Sequence, residues 1–412
     1  MKYGCIGERL PHSFSKEIHE KIGSYEYELK ELTPEEVGPF MIRRDFLAIN
    51  VTIPYKQTAI PYLDAVDETA AAIGAVNTIV NKNGKLFGYN TDAFGMAALM
   101  EKECISLNGK LVLILGTGGT SKTAAYVVSQ QGAAQVRRVS RREQPGVITY
   151  EKALLNHRYA QIIINTTPVG MYPQLFDAPI DVTSFPALEA VVDAVYNPLR
   201  TMFAHAANEN DIKACTGLYM LVSQAVKAYE IFMDTVADRG LSDRIFREIY
   251  DSKQNIVLTG MPGCGKTTIG RLLAEKLGRP FIDTDELIVK KTGVSISEIF
   301  RFHGETEFRK IETEVIKEIS AGAGCVIATG GGAVLKPENA DALKMNGRIY
   351  FLDRSPELLT PTDDRPLALS KDAIRNRYRE RYDIYCSTAD EVIDDNNAVA
   401  AVANEIERRH YQ

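Results

Sequence analysis

The sequence predicts an α/β protein of two or three domains. The chain has 412 residues, whereas one domain usually holds about 100–200. A short apolar run followed by a glycine-rich turn and a helical pattern occurs twice, at residues 111–130 and 255–277. Continuous apolar runs are typical of buried parallel strands, which crossover helices follow. Each occurrence therefore opens a separate α/β unit of a nucleotide-binding type.

Other elements are predicted in order along the chain. The first 100 residues contain the strand-like runs YGCIG, FLAINVTIP and AVNTIV, with helical stretches at Ser15–Ile22 and Thr58–Tyr62. A long amphipathic helix is expected over Gly217–Ala237. The stretch LSDRIFREIYDSKQ lacks glycine and proline and leads directly into the next strand. We therefore place the main boundary near residue 250, in a short helical connector.

The composition excludes several classes of protein. With 48 Lys and Arg against 54 Asp and Glu, the net charge is −6, which disfavours a general nucleic-acid binder. No window holds the roughly 18 uninterrupted apolar residues of a membrane span, and the first residues lack the apolar core of a signal peptide. The six cysteines are scattered, without a C-x-x-C pair. We therefore expect reduced thiols, a cytoplasmic location and no membrane partner.

A phosphate-binding loop is predicted in the second half. Residues 260–267, GMPGCGKT, match G-x-x-x-x-G-K-[ST] between a strand and a helix. Glycines let successive backbone N–H groups face the phosphates of ATP, and the helix N-terminus adds partial positive charge. Lys266 can reach the β- and γ-phosphates, and the Thr267 hydroxyl can ligate Mg²⁺. The other candidate ATP-binding residues of this loop are Gly263, Cys264, Gly265 and Thr268.

Five further motifs follow in this half. Asp283 and Asp285 fall on the same side of a strand end by period-two alternation, and Arg309 lies one helical turn from Glu312. Taken singly, each motif also fits a solvated charge pair, a turn or a helix face. The motifs are FIDTD (281–285), GETEFRKIE (304–312), ATGGGAV (328–334), DDRPL (363–367) and ERYDIYCSTAD (380–390).

The order and spacing of these motifs resemble shikimate kinase over about residues 255–405. The resemblance implies a P-loop domain of the NMP-kinase type, with three α/β/α layers, that phosphorylates shikimate with ATP and Mg²⁺. Its arginines suit the substrate carboxylate, because a planar guanidinium binds it bidentately. Asp285 would accept a hydrogen bond from the attacking hydroxyl. The implied shikimate-binding residues are Asp285, Arg309, Gly331 and Arg381.

The same resemblance implies nucleotide and metal ligands. Thr267 would ligate Mg²⁺ directly, and Asp283 would assist through water. Arg365 resembles the lid arginine that closes over ATP and offsets charge on the transferred group. Members of this family usually carry another arginine early in the lid segment, whereas here only Arg354 precedes Arg365. The implied catalytic residues are Lys266, Asp285 and Arg365.

A dinucleotide site is predicted in the first half. Residues 116–121, GTGGTS, fit G-x-G-x-x-G only with serine in the third position, but a strand precedes them and a helix follows. About 20 residues on, where NAD enzymes place an acid, arginines suit the 2′-phosphate of NADP. NADP is therefore favoured, although Glu143 could still bind a ribose. The candidate NADP-binding residues are Gly116, Thr117, Gly118, Gly119, Thr120, Ser140, Arg141 and Arg142.

Lys56 and Asp92 form the candidate acid–base pair of the first half. A dehydrogenase that reduces a ketone needs a proton donor beside the carbonyl oxygen, and a lysine with a nearby carboxylate can serve. Separately, each residue also fits an ordinary surface charge. They belong to a polar series made of HSFS (12–15), NVTIPYK (50–56), GAVNT (74–78) and GYNTD (88–92).

These motifs, with NTTPVGM (165–171), DAVYNPLRT (193–201) and GLYMLVSQA (217–225), resemble shikimate dehydrogenase over about residues 1–240. The resemblance makes Lys56 the acid–base residue and Asp92 its partner. The sequence departs from the family at Lys16, where proline is usual, and in the dinucleotide loop at Thr117, Thr120 and Ser121, where alanines are more usual. The residues implied for the substrate carboxylate are Ser13, Ser15 and Tyr196, those for the ring hydroxyls are Thr52, Asn77, Asp92 and Gln224, and Gly217 joins the NADP set.

The two resemblances imply a two-domain dehydrogenase unit followed by a kinase domain. The predicted domains are a substrate domain (1–98 plus 217–240), a Rossmann NADP domain (99–216), a connector (241–253) and a P-loop domain (254–412). Dehydroshikimate would be reduced with NADPH, and the resulting shikimate would then be phosphorylated. One alternative is an NAD-dependent quinate/shikimate dehydrogenase fused to a P-loop domain that only binds nucleotide or phosphorylates another small polyol.

Overall fold

The computed structural model describes residues 1–10, 13–359 and 371–412, and it divides the chain into two compact units. The first unit comprises Met1–Asn197 and Thr201–Ile249, and the second comprises Pro198–Arg200 and Tyr250–Gln412. Both are built from mixed helices and strands, which confirms the predicted α/β class. Within the described ranges, we find no helix with the length and apolar character of a membrane span. The finer division of the first unit stays a prediction.

Two six-stranded sheets form the first unit. The first is mixed, with strand order β2-β1-β3-β5-β6-β4, and β5 runs antiparallel to both of its neighbours. The second is parallel throughout, with order β12-β11-β10-β7-β8-β9. Their strands are β1 (Tyr3–Gly7), β2 (Tyr27–Glu31), β3 (Ala48–Val51), β4 (Ala65–Val66), β5 (Thr78–Lys82), β6 (Lys85–Tyr89), β7 (Leu111–Leu115), β8 (Gln135–Ser140), β9 (Val147–Thr149), β10 (Ile162–Asn165), β11 (Ala190–Asp193) and β12 (Lys213–Thr216).

Helices cover both sheets. The second sheet packs its apolar strands against α4 and α5 on one side and against α6 and α7 on the other. The helices of this unit are α1 (Ser15–Ile22), α2 (Pro34–Arg43), α3 (Glu68–Ile73), α4 (Thr91–Lys102), α5 (Gly119–Gln130), α6 (Tyr150–Asn156), α7 (Met202–Asn208), α8 (Leu218–Met233) and α9 (Leu241–Lys253), the last of which runs into the second unit.

The second unit has one parallel sheet of order β14-β15-β13-β16-β17. Because β13 is central and the later strands lie on both sides of it, the loops at the carboxyl edge meet around the turn after β13. Its elements are β13 (Asn255–Thr259), α10 (Lys266–Leu277), β14 (Phe281–Asp283), α11 (Thr284–Thr292), α12 (Ile296–Ser320, interrupted at Gly304), β15 (Val326–Ala328), α13 (Pro337–Lys344), β16 (Gly347–Asp353), α14 (Lys371–Thr388), β17 (Glu391–Asp394) and α15 (Val399–His410).

Most predicted elements are confirmed, with local differences. The helix at Ser15–Ile22 and the helical connector are present. The predicted helix over Gly217–Ala237 ends at Met233, because Asp234 adopts a left-handed conformation with φ of 49°. Only a 3₁₀ turn forms near Thr58, at Ile60–Tyr62.

Candidate active sites

A largely buried ion pair joins Lys56 and Asp92 in the first unit. Lys56 Nζ donates to Asp92 Oδ2, and the two side chains are 13% and 9% exposed. Asp92 lies in the first turn of α4, where the helix N-terminus favours a carboxylate. Its other oxygen accepts from Asn77 Nδ2 at 2.9 Å. The carboxylate is therefore fixed on both sides, and it holds the lysine ammonium in place.

Asn77 connects this pair to a wider polar network. Its side-chain oxygen accepts from the Thr91 backbone N–H at 2.7 Å, and its Nδ2 lies 2.9 Å from Thr91 Oγ1. Gln224 Oε1, from α8, lies 3.3 Å from both Asn77 Nδ2 and Thr91 Oγ1. Three of the predicted ring-hydroxyl residues are thus brought together. Thr91 belongs to the same network and was not singled out, although it lies inside the motif GYNTD.

Ser13, Ser15 and Tyr196 also converge. Ser13 Oγ accepts from the Ser15 backbone N–H at 3.3 Å, and its hydroxyl is hydrogen-bonded to Tyr196. The Phe14 ring packs against the Tyr196 ring with centroids 5.3 Å apart. Burial raises the pKa of Tyr196 to about 12, so its phenol keeps its proton and can donate. This group of hydroxyls can bind a carboxylate.

Thr52 and Lys16 lie at the margins of this region. The Thr52 backbone N–H donates to Ile6 O at 2.9 Å, at the carboxyl edge of the first sheet. Lys16, which departs from the family pattern, pairs with Glu20 at 3.7 Å on the exposed side of α1. An exposed pair of this kind contributes little to stability.

The glycine-rich turn after β7 lies directly against the acid–base pair. Gly116 has φ of 112°, which favours glycine, and Ser121 Oγ donates to the Gly116 carbonyl at 2.7 Å. Serine in the third motif position therefore closes the turn instead of disrupting it. A Cβ on Gly119 would lie 3.4 Å from Lys56 Cδ, while one on Gly118 would meet nothing within 4 Å. The turn leaves space for a dinucleotide beside Lys56.

The remaining candidate NADP residues lie on neighbouring loops. Ser140 ends β8, and its Oγ accepts from the Arg142 backbone N–H at 3.2 Å. Arg141 and Arg142 are exposed. Glu143 instead pairs with Lys152 at 2.6 Å. On the other side, the Gly217 backbone N–H donates to Val195 O at 2.8 Å, and a Cβ there would overlap the Ala194 carbonyl.

The phosphate loop of the second unit has the backbone that its sequence predicts. Gly260, Gly263 and Gly265 have φ of 145°, 86° and 92°, and α10 begins at Lys266. Lys266 Nζ donates to the carbonyls of Gly260 and Met261 at 2.9 Å each. The lysine is thus folded onto its own loop, with Cys264 buried beneath it. Thr268 lies exposed on the first turn of the helix.

Thr267 and Asp283 offer a pair of hard oxygen ligands. Thr267 Oγ1 donates to Asp283 Oδ2 at 2.7 Å. Asp283 Oδ1 accepts from the Asp285 backbone N–H at 3.0 Å. The expected period-two alternation is wrong, because β14 ends at Asp283 and Asp285 already lies in the first turn of α11. Hydroxyl and carboxylate oxygens suit Mg²⁺, which keeps several waters of its own.

Two arginines approach the turn after β15. Arg381 Nη1 donates to Gly331 O at 3.0 Å, and a Cβ on Gly332 would overlap the Arg309 guanidinium. A Cβ on Gly330 would lie 2.7 Å from Asp285 Oδ1. The predicted shikimate residues of this unit therefore surround one glycine turn. Arg365 lies outside the described residues.

Glu312 is a buried member of this cluster to which the sequence alone assigned no role in the site. Its Oε2 accepts from Arg309 Nη1 at 2.7 Å, and its Oε1 is buried without a hydrogen-bond partner among the described residues. Burial raises the pKa of Glu312, whereas Arg309 lowers it. The spacing of Arg309 and Glu312 predicted their contact, but not that the carboxylate is buried. Glu312 orients the guanidinium toward the glycine turn.

Family models match both units. Residues 5–79 match the shikimate dehydrogenase substrate binding domain, and residues 262–410 match the shikimate kinase model. Among curated proteins, a shikimate dehydrogenase (NADP(+)) of Clostridium beijerinckii is 35% identical over 263 residues, covering 59% of this chain and 96% of that protein. A shikimate dehydrogenase (NADP(+)) of Methanosphaera stadtmanae is 36% identical over 260 residues, covering 56% of this chain and 90% of that protein.

Solved structures resemble the same part of the chain. Shikimate dehydrogenase 1 from Peptoclostridium difficile has a TM-score of 0.57 and 35% identity, covering 60% of this chain and 98% of its own. A chorismate mutase/shikimate 5-dehydrogenase fusion protein from Clostridium acetobutylicum has a TM-score of 0.56 and 34% identity, with coverages of 60% and 96%. A shikimate 5-dehydrogenase from Thermus thermophilus, solved with NADP(H) and shikimate, has a TM-score of 0.54 and 30% identity, and the match covers 60% of this chain and 99% of that chain.

Proposed function

The chain belongs to the shikimate dehydrogenase family and carries a shikimate kinase domain behind it, and we propose that it performs two consecutive reactions on one small molecule. The first unit reduces 3-dehydroshikimate to shikimate with NADPH. The second phosphorylates shikimate to shikimate 3-phosphate with ATP and Mg²⁺. The observation that carries this proposal is the position of the Lys56–Asp92 pair directly against the dinucleotide turn at Gly119.

In the reduction, Lys56 donates a proton to the ketone oxygen. NADPH, when bound, supplies the hydride to the carbonyl carbon, so the ketone becomes a hydroxyl group and NADP⁺ is left. Asp92 holds the ammonium in position, and Asn77 holds the carboxylate. Thr52, Gln224 and Asp92 bind the ring hydroxyls, while the hydroxyls of Ser13, Ser15 and Tyr196 bind the substrate carboxylate.

In the phosphorylation, Asp285 accepts the proton of the attacking hydroxyl. Arg309 and Arg381 bind the shikimate carboxylate beside Gly331. Lys266 leaves its loop carbonyls to meet the nucleotide phosphates, which the backbone N–H groups of the loop also hold. Mg²⁺ would be held by Thr267 with help from Asp283 and would offset charge on the phosphates. Arg365 is proposed as the lid arginine from the sequence alone.

The alternative pairing of an NAD-dependent quinate/shikimate dehydrogenase with a nucleotide-binding module is not favoured. The curated relatives are NADP(+) enzymes, and Glu143, the possible ribose acid, is engaged with Lys152. Small molecules are the proposed partners of the chain. All six cysteines are free, which supports the proposed cytoplasmic location.

One coupled assay tests the proposal. Dehydroshikimate, NADPH, ATP and Mg²⁺ are supplied together, and NADPH oxidation and shikimate 3-phosphate are followed. We expect both products from the wild-type chain. Replacing NADPH with NADH should lower the rate of ketone reduction. In the reverse direction, with NADP⁺ as oxidant, quinate should be oxidised more slowly than shikimate. A wild-type chain that formed no shikimate 3-phosphate would limit the second unit to nucleotide binding.

Two substitutions separate the activities. Lys56→Ala should lower the dehydrogenase kcat by about 10²–10⁴-fold, as expected for loss of a general acid, and should leave the kinase rate unchanged. Lys266→Ala should abolish kinase activity and leave ketone reduction intact. Lys110→Ala and Lys276→Ala, which remove exposed lysines paired with glutamates, are the matched controls. Loss of both activities in one folded variant would contradict the proposed division of labour.

A further inference from the structure

Arg354 and Asp395 occupy equivalent positions on adjacent strands of the second unit. They are the first residues after β16 and β17, whose register pairs Asp353 with Asp394. The Asp395 backbone N–H donates to Asp353 O at 3.0 Å. Both side chains therefore start at the carboxyl edge of the sheet, where the phosphate loop also begins.

Asp395 is a buried carboxylate that faces the phosphate loop. Asp395 is 1% exposed, and its Oδ2 has no hydrogen-bond partner in the described part of the chain. Burial raises the pKa of Asp395 to about 6, against the opposing effects of the Arg354 and Lys266 cations. Asp394, its neighbour in sequence, adds negative charge. Among the described residues, the Cys264 thiol also faces it.

Arg354 extends between this carboxylate and the phosphate loop. Its Nη1 lies 3.9 Å from Asp395 Oδ2 and 4.0 Å from the position that a Cβ would take on Gly265. Its Nε is buried and has no hydrogen-bond partner among the described residues. The side chain is 28% exposed, so the guanidinium reaches the surface of the loop. Separations of 3.9 and 4.0 Å are too long for hydrogen bonds.

An isolated carboxylate in this place would oppose nucleotide binding. Phosphates held by the loop are negative, and like charges repel strongly where water is excluded. A buried charge is also costly unless a partner compensates it. The positive charge of Arg354 therefore accounts for a buried carboxylate at this position. The guanidinium compensates Asp395 and can still donate hydrogen bonds at the phosphate loop.

We infer that Arg354 is a further nucleotide-binding residue of the second unit and that Asp395 is the residue that positions it. The inference rests on the proposed kinase function. The Arg354 guanidinium donates to a phosphate oxygen of the nucleotide beside Gly265, while the negative charge of Asp395, 3.9 Å from Nη1, keeps the same guanidinium at the loop. The ligand class is a nucleoside di- or triphosphate, and shikimate is not contacted.

Arg354→Ala tests the binding role in the full chain. Loss of one charge-assisted hydrogen bond should raise the Kd for ADP with Mg²⁺, measured by titration calorimetry, about tenfold. The KM for ATP should rise by a similar factor, and the KM for shikimate should stay unchanged. Arg354→Lys should retain part of the affinity. Arg408→Ala, which removes an exposed arginine of α15 paired with Glu405, is the matched control.

Asp395→Asn tests the positioning role. It should raise the Kd for ADP severalfold in the wild-type background and have no effect in the Arg354→Ala background, because Asp395 acts only through the arginine. In the wild type, protonation of Asp395 as the pH falls through about 6 should weaken ADP binding. Asp395→Asn should remove that pH-dependent component, and nucleotide protonation, present in both proteins, cancels in the comparison.

The outcomes separate this inference from the proposed function. A wild-type chain without kinase activity would contradict the function itself. An active chain in which Arg354→Ala binds ADP as tightly as the wild type would overturn the binding role. Tighter ADP binding by Asp395→Asn, or equal effects of Asp395→Asn in both backgrounds, would show that the carboxylate acts directly on the phosphates and would overturn the positioning role.

Discussion

We propose that cofactor choice in the first unit depends on two exposed arginines after β8. Arg141 and Arg142 lie where a dinucleotide enzyme contacts the ribose, and the neighbouring Ser140 hydroxyl braces the turn by accepting from the Arg142 backbone N–H. Glu143 is tied to Lys152. The turn therefore offers positive charge, and not a free carboxylate, to an adenosine ribose.

Arg141→Ala/Arg142→Ala should raise the KM for NADP about 10–100-fold, because charge-assisted contacts to the 2′-phosphate are lost. The KM for NAD should change little, since NAD lacks that phosphate. Glu143→Gln is the matched control, and it should leave both constants near their wild-type values. Initial rates of shikimate oxidation with each cofactor provide the measurement. An equal rise in the KM for NADP and for NAD would show that the two arginines do not contact the 2′-phosphate specifically.

Individual residues differ in how far the sequence alone can identify them. Lys56 and Asp92 were predicted because reduction of a ketone needs a proton donor, for which a lysine with a nearby carboxylate can serve, and because their motifs resemble those of shikimate dehydrogenase. The burial of Glu312 and Asp395 could not be predicted in this way. Glu312 lies three residues after Arg309 on a helix, a spacing that fits a solvated ion pair equally well. Asp395 can be connected with Arg354 only through the register of their strands.

At the scale of elements, the contact between α4 and α8 holds the first active site together. Asp92 lies at the start of α4, and Gln224 lies on α8. The helices approach closely at Gly95, where a Cβ would overlap the Met220 carbonyl and lie 3.0 Å from Gln224 Cβ. Because Gly95 has no Cβ, the two helices can approach closely enough to bring Asp92 and Gln224 to Asn77.

Gly95→Ala should force α4 and α8 apart. Overpacking of this kind destabilises by about 1–3 kcal/mol, so the melting temperature of the first unit should fall by several degrees, and the KM for shikimate should rise as Gln224 moves. Gly38→Ala is the matched control within helix α2, since its Cβ would come closest to the Tyr62 hydroxyl, at 2.7 Å, which is the end of a movable side chain and not backbone. Calorimetry and steady-state kinetics provide the two readouts. An unchanged Gly95→Ala protein would show that the helices separate without cost.

Element boundaries explain one incorrect expectation. Asp283 and Asp285 were predicted to lie on the same side of a strand end by period-two alternation. The helix α11 begins immediately after Asp283, whose side chain accepts from the backbone N–H groups of Asp285 and Glu286. A capping aspartate within a strand-like run is therefore the local signal that alternation ends. The roles of the two carboxylates stay predictions, and their relative geometry required the structure.

At the scale of the whole chain, each unit has its own hydrophobic cores. The apolar clusters around the two sheets of the first unit contain residues up to Phe232. Those of the second unit begin at Ile256. Since a ligand stabilises the domain that binds it by mass action, NADP and ADP should act on different cores.

Calorimetric melting should therefore show two transitions that respond to different ligands. NADP at about 100 times its Kd adds about 2.7 kcal/mol to the unit that binds it, so it should raise only the transition of the first unit. ADP with Mg²⁺ should raise only the other. In Lys266→Ala the shift with ADP should shrink while the shift with NADP persists, because only the phosphate loop has lost its lysine. A single transition that rises with either ligand would instead mean that the chain unfolds as one cooperative body, and destabilising substitutions in one unit would then lower the stability of both.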